Sequence, residues 1–168
     1  MRPQDIAILL KLCAMGNAQW QLVPLSAALK ISISEISESL NRSRLAKLVD
    51  YSKKQVNRQN FLEFLEHGVQ YVFPQQPGSI GRGIPTAHAH PKIKKSFVSD
   101  MAYVWPDQKG SVMGQLIEPL YARQSEAIKD DPKFYEMLAL VDMIRAGRVR
   151  EVKYAVASLK KLIHEPPY

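Results

Sequence analysis

The 168-residue chain contains a single cysteine, Cys13. One thiol excludes an intrachain disulfide framework and a multi-cysteine zinc site, and it matches a reducing compartment. Because Cys13 sits in an apolar run, core packing is its expected role, with a reactive thiol as the alternative. Long hydrophobic runs are missing too. The stretch from Ile6 to Met15 is too short to span a bilayer, contains Lys11, and lacks the basic start and small-residue cleavage pattern of a signal peptide. The expected location is cytoplasmic. Catalytic signatures are equally scarce: there is no Gly-x-Ser-x-Gly elbow and no His-Glu-x-x-His pair. Gly78-Ser-Ile-Gly81-Arg82-Gly83 is followed by no Gly-Lys-Ser/Thr, and Pro85 blocks immediate entry into a helix, so this segment reads as a turn-rich connector. No enzymatic activity, cofactor or metal is expected. Acidic residues are in deficit, 16 against 23 Lys and Arg, which leaves a net charge of +7. That balance favours a polyanionic partner, although it also serves solubility.

Three regions differ in composition. Residues 1–73 are dense in helical pattern and hold only Pro3 and Pro24, each where a helix can begin. Residues 74–130 carry recurring prolines and glycines, so no long helix is expected there. Their Phe97, Val98, Met101, Tyr103, Val104 and Trp105 are nevertheless too apolar for a free linker, which predicts an irregular packed extension. Residues 131–168 return to helical pattern. The predicted fold class is mainly α with a small β-wing.

Within the first region, Ile6, Leu9, Leu10 and Cys13 share one face of a helix over about Pro3 to Met15, and Gly16 follows as a stop. Pro24 opens a short helix with Leu25, Ala28 and Leu29. Ser32 and Glu35 then stand in the Ser-x-x-Glu capping arrangement ahead of Ile36 and Leu40. Leu48 to Tyr51 and Gln55 to Asn57 read as two short strands around Ser52, Lys53 and Lys54, and Leu22 with Val23 as a third. A further helix is expected from Arg58 to about Phe73.

The run from Leu25 to Arg42, continuing to Leu48 and Val49, resembles the helix-turn-helix of bacterial winged-helix transcription regulators, including MarR-like ones. Leu25 and Leu29 match the apolar anchors of the first helix, Ala28 its small residue and Ile31 the turn plug. Ser32 matches the recognition-helix cap, Ile36 and Leu40 its buried side, and Leu48 and Val49 the entry to the wing. Lys30 departs from the glycine that many relatives place in the turn. The resemblance covers about residues 3–73 and implies sequence-specific duplex DNA binding without catalysis.

A helix in the major groove needs polar groups facing outward and cations beside the phosphates. Ser34, Ser37, Glu38, Asn41 and Arg42 supply the outward face, with Asn41 suited to a two-point contact with adenine and Arg42 with guanine. Arg42, Arg44, Lys47, Lys53, Lys54 and Arg58 stand against the single acid Asp50 over this stretch. The alternative is a solvated helix face on a winged-helix module that holds a protein partner, such as an antitoxin or complex subunit. Two weaker sites are also visible. His88 and His90 form a His-x-His pair that would need a further ligand such as Asp100 or Asp107, and Tyr103 with Trp105 can line an effector pocket.

At the end of the chain, Asp131 is placed to cap a helix starting at Pro132 and running to Gly147. Val149, Val152, Val156, Leu159 and Ile163 then recur every three or four residues, a seam for packing within the subunit or across a homodimer that would match a palindromic operator.

Overall fold

The computed structural model describes residues 1–16 and 19–165, and is mainly helical with one small sheet. Helix α1 spans Pro3–Met15, as the pattern predicts, with Pro3 in its first turn and Gly16 at its end. It buries more than one face. Ala7, Ile8 and Leu12 are as enclosed as Ile6, Leu9, Leu10 and Cys13, because later helices cover the side that the first region leaves open.

Helix α2 spans Leu22–Leu29, and α3 spans Ile33–Leu45. The third wing strand expected at Leu22 and Val23 is therefore corrected: both residues lie in the first turn of α2. Pro24 fits that turn, so the helix starts ahead of it and Leu25 and Leu29 reach the core at helical spacing. The two other wing strands reduce to a single antiparallel bridge, Val49 with Val56, closed by Asn57 N–H donating to Leu48 O at 2.8 Å. Helices α4, Arg58–His67, and α5, Val69–Val72, replace the single helix expected to Phe73. The break falls at Gly68, where a Cβ would stand 2.7 Å from the Phe64 ring.

The middle region is not irregular throughout. Strands β1 (Ile80–Thr86), β2 (Tyr103–Pro106) and β3 (Val112–Leu116) each pair with the other two, β1 antiparallel to both and β2 parallel to β3. The sheet closes on itself, which removes its edges. Gly83 and Gly114 allow this: a Cβ at Gly83 would meet Trp105 O at 1.9 Å, and one at Gly114 would meet Ala102 O at 2.5 Å. The strands of this fold thus lie between residues 80 and 116, and the glycines that suggested a loose connector permit their close pairing.

A short helix α6, Gln124–Ala127, leads into α7, Pro132–Ala146, and α8, Val149–His164. Asp131 caps α7 as predicted, its Oδ1 accepting from Phe134 N–H at 3.0 Å, and Lys11 of α1 pairs with the same carboxylate. Helix α7 is enclosed along nearly its whole length, with contacts to α1, α4, α5, α8 and β1. On α8, Ala155, Leu159 and Ile163 are fully buried while Val149 is 73% exposed. Helix α8 contacts α1, α4 and α7 of its own chain, so Leu159 and Ile163 of the C-terminal stripe are core, with Val152 and Val156 partly buried beside them. One hydrophobic core crosses the boundaries expected at residues 73 and 130. Asp142 on α7 accepts from Thr86 Oγ1 at 2.7 Å, Trp105 Nε1 at 2.6 Å and Arg145 Nη1 at 2.9 Å. Arg145 also donates to Phe73 O and Glu118 O, tying α5, the sheet and α7 together. Among the described residues, no helix is long and apolar enough to cross a membrane.

Candidate nucleic-acid interface

The turn between α2 and α3 is built locally. Lys30 is left-handed, φ 59° and ψ 34°, a conformation for which glycine is favoured. Ile31 is buried beneath it, and Ser26 Oγ donates to Ile31 O at 2.6 Å. Ser32 caps α3 by accepting from Glu35 N–H. Glu35 turns instead to α1, accepting from Gln4 Nε2 at 2.7 Å with Arg2 at 3.6 Å, so the capping arrangement is half used.

Along α3, Ile36, Ser39, Leu40 and Ser43 face the core. The opposite stripe is Ser34, Glu38, Asn41 and Leu45, with Ser37 and Arg44 partly exposed beside it. Arg42 is the exception among the expected reading residues. Its Nε and Nη2 donate to Asp5 Oδ2 and Oδ1 at 2.9 and 2.8 Å, and Asp5 has no solvent exposure. The two-point hydrogen bond expected for guanine is spent on α1, which corrects Arg42 from base reader to anchor of α3. Burial works to raise the Asp5 pKa. The Arg42 guanidinium and the Arg2 amide outweigh it and hold the carboxyl below its ordinary value.

The loop after α3 is organised by Asp50, whose Oδ1 accepts from Lys54 N–H at 2.8 Å and Gln55 N–H at 2.9 Å, while Ser52 Oγ donates to Oδ2. These donors keep the Asp50 pKa below its ordinary value. Lys53 takes a left-handed backbone, φ 60°, and donates from Nζ to Asn41 Oδ1 at 2.9 Å. Lys54 Nζ stands 4.4 Å from the Trp20 ring centroid, and Trp20 Nε1 donates to Lys54 O at 2.9 Å. Arg44 lies over Tyr51 at 5.5 Å, Lys47 is exposed, and Arg58 opens α4, lining a cavity of about 770 Å³ with Trp20 and Lys54.

Sequence reasoning missed Leu45 and Tyr51, 78% and 87% exposed at this face. Leu45 continues the Ser34, Glu38 and Asn41 spacing, a signal that was available. Asp5 gave no such signal, because an acid in a helix's first turn is expected for reasons of its own.

The other candidates resolve differently. His88 Nε2 lies 2.9 Å from Met101 O, and His90 Nδ1 accepts from Lys92 N–H at 3.2 Å. Among the described residues, no three His, Cys, Asp or Glu side chains gather as metal ligands. Trp105 has no exposure and donates to Asp142, so it is core rather than the wall of an effector pocket, while Tyr103 is half-buried with its ring edge-on to His88. Burial pushes the Cys13 thiol up to about 12, the direction of an inert core cysteine. No family model matches the chain, and no curated protein or solved structure matches it.

Proposed function

We propose that this chain binds duplex DNA, with α3 in the major groove and the 50–55 loop on the phosphate backbone, and acts as a transcriptional regulator. The observation that carries the reading is the bond from Lys53 Nζ to Asn41 Oδ1, which sets the basic loop against the outward stripe of α3. Groove-facing polar groups and backbone-facing cations then belong to one surface. Ser34, Ser37, Glu38 and Asn41 are the base-facing set. Arg44, Lys47, Lys53, Lys54 and Arg58 supply positive charge, and Arg42 holds the helix in place. No catalytic step is assigned. A palindromic operator would call for two copies of the chain, paired through a face other than the buried part of the α8 stripe.

Exposed Leu45 and Tyr51 favour a second reading, in which the same surface holds a protein partner. Fluorescence anisotropy with duplex DNA over a range of salt separates the two. Lys53→Ala with Lys54→Ala is expected to weaken binding to all duplexes and to lower the logarithmic salt slope by roughly 1 to 2. Asn41→Ala is expected to weaken the preferred sequence more than random DNA. An unchanged slope removes the loop from the interface, and absence of salt-dependent binding leaves the protein-partner reading.

A further inference from the structure

A second groove, of about 720 Å³, opens where β1 ends and β3 begins, beside the 3-10 turns Ala87–Ala89 and Lys94–Ser96. Lys94 and Lys95 stand on its rim, and none of the described residues lining it is acidic. Its apolar wall includes Phe97, Pro85 and Val112. The Phe97 ring also meets α8, edge-on to Tyr154 at 5.1 Å with the Arg150 guanidinium over it at 5.9 Å, which adds a cation next to this wall. His88 steadies the inner side. Its Nε2 faces a carbonyl, which can only accept, so that nitrogen carries the proton and donates to Met101 O. Ser111 adds a hydroxyl at the mouth.

Ammonium groups on the lining call for an anion, and an aromatic ring lining the same groove calls for a flat body attached to it. The volume lies within the roughly 300 to 1,000 Å³ of small-molecule sites. We propose that this groove binds a nucleoside 5′-phosphate, with its phosphate on Lys94 and Lys95 and its base against Phe97. The same chemistry is offered by a free nucleotide and by the phosphorylated 5′ end of a nucleic-acid strand. None of the lining residues belongs to α3 or the 50–55 loop, so the site is separate from the proposed duplex surface.

Isothermal titration with AMP, adenosine and inorganic phosphate tests this on the full chain, together with a thymidine tetranucleotide carrying a 5′-phosphate or a 5′-hydroxyl. AMP is expected to bind more tightly than either of its parts. Lys94→Ala with Lys95→Ala is expected to weaken AMP by about tenfold or more, while Phe97→Leu weakens AMP and leaves phosphate unchanged. Circular dichroism checks that each variant is folded. Tighter binding of the 5′-phosphorylated tetranucleotide than of both AMP and its 5′-hydroxyl counterpart identifies a strand end as the source, tighter binding of AMP identifies the free nucleotide, and either supports the site. Two tetranucleotides that bind alike and more tightly than AMP overturn it. No binding of AMP or phosphorylated tetranucleotide at millimolar concentration overturns the proposal. So does adenosine or phosphate matching AMP, or a lysine double variant that binds AMP unchanged. The Lys53→Ala, Lys54→Ala chain is expected to keep AMP binding, so failure of the duplex reading and failure of this one are seen separately.

Discussion

Arg42 shows how one partner changes the meaning of a side chain. Its guanidinium neutralises a carboxylate with no exposure of its own, while 24% of the Arg42 side chain reaches solvent. Removing the arginine leaves the Asp5 charge buried against the Arg2 amide, and such losses are costly because the charge must be desolvated without its partner. Arg42→Ala is expected to lower unfolding free energy by about 3 kcal/mol in urea titrations. It should weaken DNA binding equally on preferred and random duplexes, since the effect acts through the seat of α3. A loss confined to the preferred sequence would return Arg42 to the base-reading set. His90 makes a second prediction at this scale. Burial, aided by Lys92, holds its pKa down to about 4 from 6.5. Between those values the unfolded chain binds a proton that the folded chain refuses, so stability is full above pH 6.5 and falls as pH is lowered toward 4. The loss is on the order of 3 kcal/mol when complete. His90→Leu should flatten the dependence between pH 6.5 and 4.5, measured as urea midpoints, and an unaltered profile would place the titration elsewhere.

Helix α8 carries its strongest apolar residues on the side that meets α1, α4 and α7, with Lys153, Lys160 and Lys161 exposed. The stripe read from the sequence is displaced in the fold: Ala155 joins Leu159 and Ile163 in the buried set, Val152 and Val156 are only partly buried, and Val149 is exposed. Because Leu159 is fully enclosed within one chain, Leu159→Ala should cost about 2 to 5 kcal/mol of stability. Its sedimentation coefficient should match that of the parent chain at the same concentration. A variant that stays as stable but changes its state of association would show that α8 packs on another copy.

Across the whole molecule, the core is continuous from Ile6 on α1 to Ile163 on α8, and the sheet is bolted to it through the buried Thr86, Trp105, Asp142 and Arg145 group. Burial pushes the Asp142 pKa up, and the Arg145, Thr86 and Trp105 donors work against that rise. A sheet joined in this way should not melt by itself. The two tryptophans allow a direct check, since Trp105 lies in β2 and Trp20 lies beside the 50–55 loop. In Trp20→Phe, fluorescence reports the sheet alone while far-ultraviolet dichroism reports the helices. Their urea midpoints should coincide, as a single cooperative unit requires, and separated midpoints would divide the chain into two folding units.

The features legible from the sequence alone were those governed by neighbours a few positions apart. Pro3 and Gly16 bracket α1, Ser32 and Asp131 cap α3 and α7, and apolar spacing marks Ile36, Leu40, Leu159 and Ile163 as buried. Caps and helical periodicity act within one or two turns, so local order carries them. Three outcomes needed the tertiary structure. Asp5 meets Arg42 across 37 positions, Asp142 gathers Thr86 and Trp105 across 56 and 37, and the prolines and glycines of residues 74–130 resolve into strands that pair over long separations. Ion-pair partners and strand pairing depend on how distant segments are brought together, which only the packing of α1, α7 and α8 around one core decided.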